Sequence, residues 1–184
     1  MFKLDSPFMN FLYKLCVIMI LNILVLVFSL PIFTIGAAVT AGYYMSFKMV
    51  KNEESYIVKG FWKAFKENFK QSTALWLIIL AVCGVLFADY RIVLYSGLSF
   101  DRWLRLGLLT VTLIIALGVS FVFALQARFT NTVKHTLKNA FLMALSHLPS
   151  AILFVVSYAV PVVLLYFIPQ IFPVIVLLAI GLLI

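Results

Sequence analysis

Between Leu15 and Phe47 the chain carries no Asp, Glu, Lys or Arg, and the same holds from Gln71 to Ala88, from Leu106 to Ala127 and from Asn139 to Ile184. Each run reaches or exceeds the roughly 18 to 20 apolar residues that cross about 30 Å of hydrocarbon as a helix. Inside hydrocarbon every backbone N–H and C=O must be paired, which only helices and closed barrels achieve. The alternation of barrel strands is absent, so the runs predict helices. The rest of the chain cannot supply a water-soluble surface: 65% of its residues are hydrophobic, 11% are charged and its mean hydropathy is +1.17. The predicted class is all-α, a polytopic transmembrane helical bundle.

The first run is too long for one span. As a single helix its 33 residues would reach about 50 Å. Pro31 lacks an amide donor and disfavours a helical Leu30, and Gly36 follows, so the run divides into a hairpin of two spans, about 14–30 and 34–50. Residues 1–13 form an amphipathic approach, with Pro7 near a helix start. The second span is rich in small and hydroxylated residues, and Ala38 and Gly42, four apart, would offer a close-packing seam. Further spans are expected at about 72–88, 103–126 and 150–168, with a short sixth at 174–184 after the Pro169–Pro173 turn. Val174 to Ile184 would reach only about 16 Å as a helix. The natural chain is therefore expected to continue past Ile184 to a cytoplasmic anchor, the alternative being a tail folded back into the bundle.

Two basic amphipathic linkers separate these spans, at about 57–70 and 130–147. In the first, Phe61, Trp62, Phe65 and Phe69 share one arc of a helix while Lys59, Lys63, Lys66 and Lys70 share the opposite one, the pattern of a membrane-surface helix with snorkelling lysines. The second carries Lys134, His135 and Lys138 behind Arg128. With this layout eleven of the fourteen Lys and Arg fall on one side, which makes that side cytoplasmic together with the N terminus. The formal charge of +8 is explained by this clustering at span ends, so no nucleic-acid partner is expected. The Lys3–Lys14 approach and its apolar run have no small-residue cleavage site, so the first span is expected to be retained. The lipid bilayer is the certain partner, and the bacterial cell membrane the expected location.

Reactive chemistry is hard to find. Away from their ends the predicted spans hold no Asp, Glu, Lys, Arg or His, the groups from which proton relays and general bases of membrane proteins are built. His135 and His147 lack companions at ligand spacing, and Cys16 and Cys83 sit in apolar segments as small packing residues. No catalytic, cofactor-binding or metal-binding residue is assigned. Asn22, Thr40, Thr110, Thr112 and Ser157 are expected to bond neighbouring backbone or helices; a hydrated cavity lined by Asn22, Thr40 and Thr112 would instead indicate transport. Arg128 either snorkels to fix the depth of its span or, with the linker lysines, contacts a partner or anionic headgroups.

At an offset of 68, Phe61, Phe65, Lys66, Phe69 and Lys70 align with Phe129, Val133, Lys134, Leu137 and Lys138. Two readings stand, a parallel repeat and two unrelated interfacial linkers.

Three motifs occur in order: Ser29-Leu-Pro-Ile-Phe-Thr-Ile-Gly-Ala-Ala38 with Tyr43-Tyr44, then Phe61-Trp-Lys-Ala-Phe-Lys-Glu-Asn-Phe-Lys-Gln71, then Ala127-Arg-Phe129 with Thr136-Leu-Lys-Asn-Ala140 and His147-Leu-Pro149. Over nearly its whole length the chain resembles the YesL-like family of small bacterial integral membrane proteins. The resemblance implies a helical membrane protein often encoded near carbohydrate uptake and degradation genes, and carries over no catalytic residues. The expected function is a non-enzymatic accessory or regulatory component of carbohydrate uptake, with a sugar transporter permease or other membrane protein as partner. The alternative is a transporter or channel for a small solute in its own right.

Overall fold

A computed structural model describes residues 7–51, 53, 56–95 and 101–167. Among them the architecture is all-helical: α1 (Pro7–Phe28), a 3₁₀ turn (Ile32–Thr34), α2 (Ile35–Val50), α3 (Ile57–Tyr95), α4 (Asp101–Arg128), α5 (Val133–Ser146) and α6 (Leu148–Phe167). The expected Pro169–Pro173 turn and the short sixth span lie outside the described residues.

The chain reverses at Pro31, as its chemistry predicts. Pro31 is extended, with φ −75° and ψ 120°, and the Thr34 hydroxyl shares its proton between the carbonyls of Phe28 (2.6 Å) and Pro31 (2.7 Å). That bond satisfies a terminal carbonyl of α1 that has no intrahelical donor. Gly36, in contrast, does not break the run. It lies in the first turn of α2, where a Cβ would come within 2.5 Å of the Ser72 carbonyl and 2.7 Å of Trp76 Cβ, so its use is close approach between helices. The approach segment and first span are one helix, α1, beginning at Pro7.

The largest departure from expectation is α3. The first linker (57–70), the third span (72–88) and the start of the expected outer loop form one helix of 39 residues, about 58 Å long. No proline occurs between Pro31 and Pro149, and the polar pair Gln71-Ser72 presents no barrier to the hydrogen-bond ladder. Nor does the aromatic arc lie on a membrane surface. Phe61 is fully buried and Phe65 nearly so, and the Phe28 ring meets Phe61, Trp62 and Phe65 at centroid separations of 5.5, 5.3 and 5.1 Å. The amphipathic period was right and its partner was a protein helix. Trp62, beside them, is left 43% exposed.

Helix α2 is central and packs on α1, α3 and α4. It runs antiparallel to α3: Gly36 faces Ser72 and Trp76, Thr40 bonds Ser72, and Met45 abuts Gly60. One buried cluster joins α1, α2 and the first turns of α3 through Val17, Leu21, Val25, Ala38, Ala41 and Phe61. A second joins α2, α3, α4, α5 and α6 through Tyr43, Leu75, Val122, Ala140 and Ala151. The Trp76 indole N–H donates to the Ile32 carbonyl at 2.7 Å, which pins the α1–α2 turn beside the midpoint of α3. Beyond that level α3 and α4 continue with apolar residues outward, including Val85, Phe87, Ile92, Leu106 and Leu109.

Among the described residues, α3 and α4 are the two helices long and apolar enough to cross a membrane; α5 and the first part of α6 pass together but bend by 104°. This apolar surface marks membrane association. Helix α5 sets Thr136, Ala140 and Ala144 inward and keeps Lys134, His135 and Lys138 outward, and Phe141 packs its ring on Gly118 of α4. The offset-68 stretches take different structures. Phe61 is buried within an unbroken helix, whereas Phe129 is 49% exposed in the break between α4 and α5.

Candidate functional site at the basic end of the bundle

The ends of α2 and α4 and the starts of α3 and α5 meet at one end of the bundle, and most of the described cations gather there. Lys59, Lys63, Lys66 and Lys70 are exposed along α3, on the side away from Phe61 and Phe65. Lys66 lies over the Trp62 ring (4.7 Å) and Lys59 over Tyr56 (5.0 Å). Lys63 approaches Glu67 at 3.9 Å in an exposed i,i+4 pair. Lys134 and Lys138 are exposed on α5. The structure therefore keeps the predicted linker lysines on helix surfaces and does not gather them into one pocket.

Arg128, at the end of α4, is different. It is exposed, its guanidinium lies 5.7 Å from the Phe129 ring, and it borders two grooves. The first, about 400 Å³, is lined by Tyr44, Phe47, Lys48, Val50, Lys51, Glu53, Ala127 and Arg128. The second, about 600 Å³, runs between α4 and the α5–α6 bend and is lined largely by Tyr43, Phe47, Phe121, Leu125, Met143 and Phe154, with Arg128 and His147 at its polar edge. Lys48 and Lys51 were not singled out from the sequence. Their signal was present, since Lys48 lies in the last turn of α2 and Lys51 follows its last residue, as Arg128 ends α4, but their meeting depends on how two helices distant in sequence pack.

Most polar groups deeper in the bundle are paired locally, the buried Thr73 hydroxyl being an exception. The Thr40 hydroxyl lies 2.7 Å from the Gly36 carbonyl and 2.9 Å from the Ser72 hydroxyl. Thr110, Thr112 and Ser120 each donate to the carbonyl four residues before them on α4. Asn22 and Thr40 are fully buried in the packed interior, and Thr112 lies on a separate, mostly apolar groove with Cys83, so these three residues do not share a cavity. Cys16 and Cys83 are exposed on helix surfaces and are not the packed residues expected. A cluster missed in the sequence ties α3, α4 and α5 together: Gln126 Nε2 donates to Asn68 Oδ1 (3.4 Å), Thr136 donates to Gln126 Oε1 (3.2 Å), and the Gln71 amide donates to the Asn131 carbonyl. Pro31, Gly36, Ala38 and Gly42 all lie in or beside the α1–α2 hairpin, with Ala38 and Gly42 buried.

A family model described as "Protein of unknown function, DUF624" matches residues 18–90. Over 150 residues, 79% of this chain and 69% of the relative, the chain is 28% identical to the "Uncharacterized protein YesL" of Bacillus subtilis (strain 168). No solved structure matches. Both matches bear out the resemblance read from the motifs. The family model covers α1 from residue 18, all of α2 and most of α3, and so includes the first two motifs.

Proposed function

We propose that this YesL-like chain is a non-enzymatic, multi-pass accessory protein of the bacterial cell membrane, with its N terminus cytoplasmic and its exposed basic helices directed at a membrane partner, a sugar transporter permease in the first instance. The observation that carries this reading is the contrast between interior and surface. Most interior hydroxyls bond their own helix or a neighbouring one, and Asn22, Thr40 and Thr112 do not converge on a path, whereas Lys59, Lys63, Lys70, Lys134 and Lys138 stand exposed. The reading without catalysis rests on the apolar runs having no Asp, Glu, Lys or Arg. The link to carbohydrate uptake rests on the family resemblance.

In this reading α3, α4 and α6 cross the bilayer, and α1 and α2 dip towards it and return as a hairpin, which leaves Lys48–Lys70 and Arg128–Lys138 on the same face as the N terminus. Affinity capture of the intact protein from crosslinked membranes should recover a permease, and charge reversal at Lys63, Lys66 and Lys70 should abolish recovery without changing abundance or topology. Capture of no membrane partner, or saturable sugar flux through vesicles holding the purified chain alone, would overturn the proposal.

A further inference from the structure

We propose that the grooves at Arg128 form a specific site for one anionic phospholipid, with the headgroup held by Lys48, Lys51 and Arg128 and an acyl chain lying along α4. The headgroup niche is the 400 Å³ groove between the ends of α2 and α4. Three cations border it against one carboxylate, Glu53, and among the described residues none of the three is ion-paired. They are not needed to cap α2 either, because the backbone N–H of Lys51 reaches the Phe47 and Lys48 carbonyls and that of Glu53 reaches Lys48. Lys48 is steadied 5.0 Å above the Tyr44 ring, and Arg128 against Phe129, which orients both cations while leaving their N–H donors available. Two lysines and a guanidinium around an opening suit a phosphate, which an arginine can grip with two parallel bonds.

Continuity with apolar grooves selects a lipid over a free anion. The niche shares Phe47 and Arg128 with the 600 Å³ groove lined by Phe121, Leu125, Met143 and Phe154. That groove shares Tyr43 with a third, about 430 Å³ and nearly all apolar, which reaches Thr112 on α4. From Arg128 to Thr112 the helical rise is about 24 Å, more than half the roughly 30 Å thickness of a bilayer's hydrocarbon and so enough to seat the whole of one leaflet's chain. A charged end followed by an apolar trough of that length matches an amphiphile with an anionic head. The carbonyl ends of α2 and α4 point their negative poles at the niche and oppose an anion, so binding depends on all three cations acting together.

The test is native mass spectrometry of the full chain in detergent after exchange into either phosphatidylglycerol or phosphatidylcholine with identical acyl chains. One phosphatidylglycerol should stay bound per chain and phosphatidylcholine should not. At about fivefold per surface cation, Lys48→Gln with Arg128→Gln should weaken retention about thirtyfold. Lys59→Gln with Lys63→Gln, an equal charge change on α3, should leave retention intact. Ala124→Trp, which narrows the second groove, should reduce retention with every cation present. Lys48→Gln with Lys51→Gln, at the exposed end of α2, serves if the Arg128 variant fails to fold. Equal loss in the α3 control, equal retention of phosphatidylcholine, or displacement of the lipid by inorganic phosphate would each overturn the proposal.

Discussion

Replacing Gly36 by alanine should destabilise the bundle although alanine is the better helix former. The added methyl would lie 2.5 Å from the Ser72 carbonyl oxygen, 2.7 Å from Trp76 Cβ and 3.1 Å from a Phe123 ring carbon. Two of these atoms are backbone or the first side-chain carbon of α3 and cannot swing aside, so α2 and α3 must separate. Forcing a methyl into a packed contact costs about 1–3 kcal/mol. Separation would also lengthen the 2.9 Å Thr40–Ser72 bond and the 2.7 Å bond from Trp76 to the Ile32 carbonyl, adding up to roughly 1 kcal/mol for each. Alanine returns at most about 1 kcal/mol of helix propensity, and less in a first turn. The net loss is about 2 kcal/mol, or a Tm lower by about 4–8 °C for a chain of this size. The assay is thermal unfolding of detergent-purified protein followed by size-exclusion fluorescence. Two internal controls set the scale: Gly84→Ala, where nothing lies within 4 Å, should be neutral or mildly stabilising, and Gly60→Ala, which meets only the flexible end of Met45, should fall between. A Gly36→Ala protein as stable as the Gly84→Ala protein would refute the close approach of α2 to α3.

Phe61→Ala should cost about 3–5 kcal/mol, because Phe61 is fully buried against Phe28 and Phe65, while Trp62→Ala should cost less than half as much; equal effects in thermal unfolding would restore the membrane-surface reading of this segment. Thr40→Val and Ser72→Ala, singly and together, should give a coupling energy of about 0.6 kcal/mol and no more than about 1.7, measured as a double-mutant cycle; additivity would mean that the two hydroxyls do not interact. Lys63→Ala should change stability by less than about 0.5 kcal/mol at any salt concentration, since its pair with Glu67 is long and exposed, and a larger, salt-sensitive loss would disprove that assignment. Trp76→Phe keeps the ring packing against Phe123 and removes the bond to Ile32, so proteolysis at the α1–α2 turn should quicken; unchanged cleavage would show that the indole does not hold the turn.

Much of this architecture was legible because lipid leaves a chain few choices. The expected span at 103–126 located α4 within two residues at each end, and Pro31 located the hairpin from the chemistry of one residue. The periodicity of Phe61, Phe65 and Phe69 was equally clear, yet it gave the wrong environment, because an apolar face looks the same whether lipid or Phe28 covers it. Gly36 was misread for a related reason. Glycine weakens a helix in isolation, and only the neighbouring Ser72 and Trp76, supplied by a helix 36 residues downstream, turn that weakness into a contact. At the candidate site Arg128 was visible in sequence through its position after an apolar run. Lys48 and Lys51 were equally visible as charges and gained their meaning from the pairing of α2 with α4.

That pairing and the groove beside it have one origin in the second linker. Helix α5 carries Lys134, His135 and Lys138 on its outer face and turns aside from α4, held to it by Thr136 on Gln126 and by Phe141 on Gly118. His147 ends it in a non-helical conformation, with φ −124° and ψ 51°. Pro149, whose missing N–H is harmless in the first turn of α6, lets a new helix start at once. The resulting 104° bend brings Phe154 edge-on to Phe121 at 5.3 Å but keeps the first turns of α6 away from the end of α4, and the 600 Å³ groove is the wedge that remains. The bend that follows the basic helix α5 therefore opens the groove whose edge Arg128 occupies.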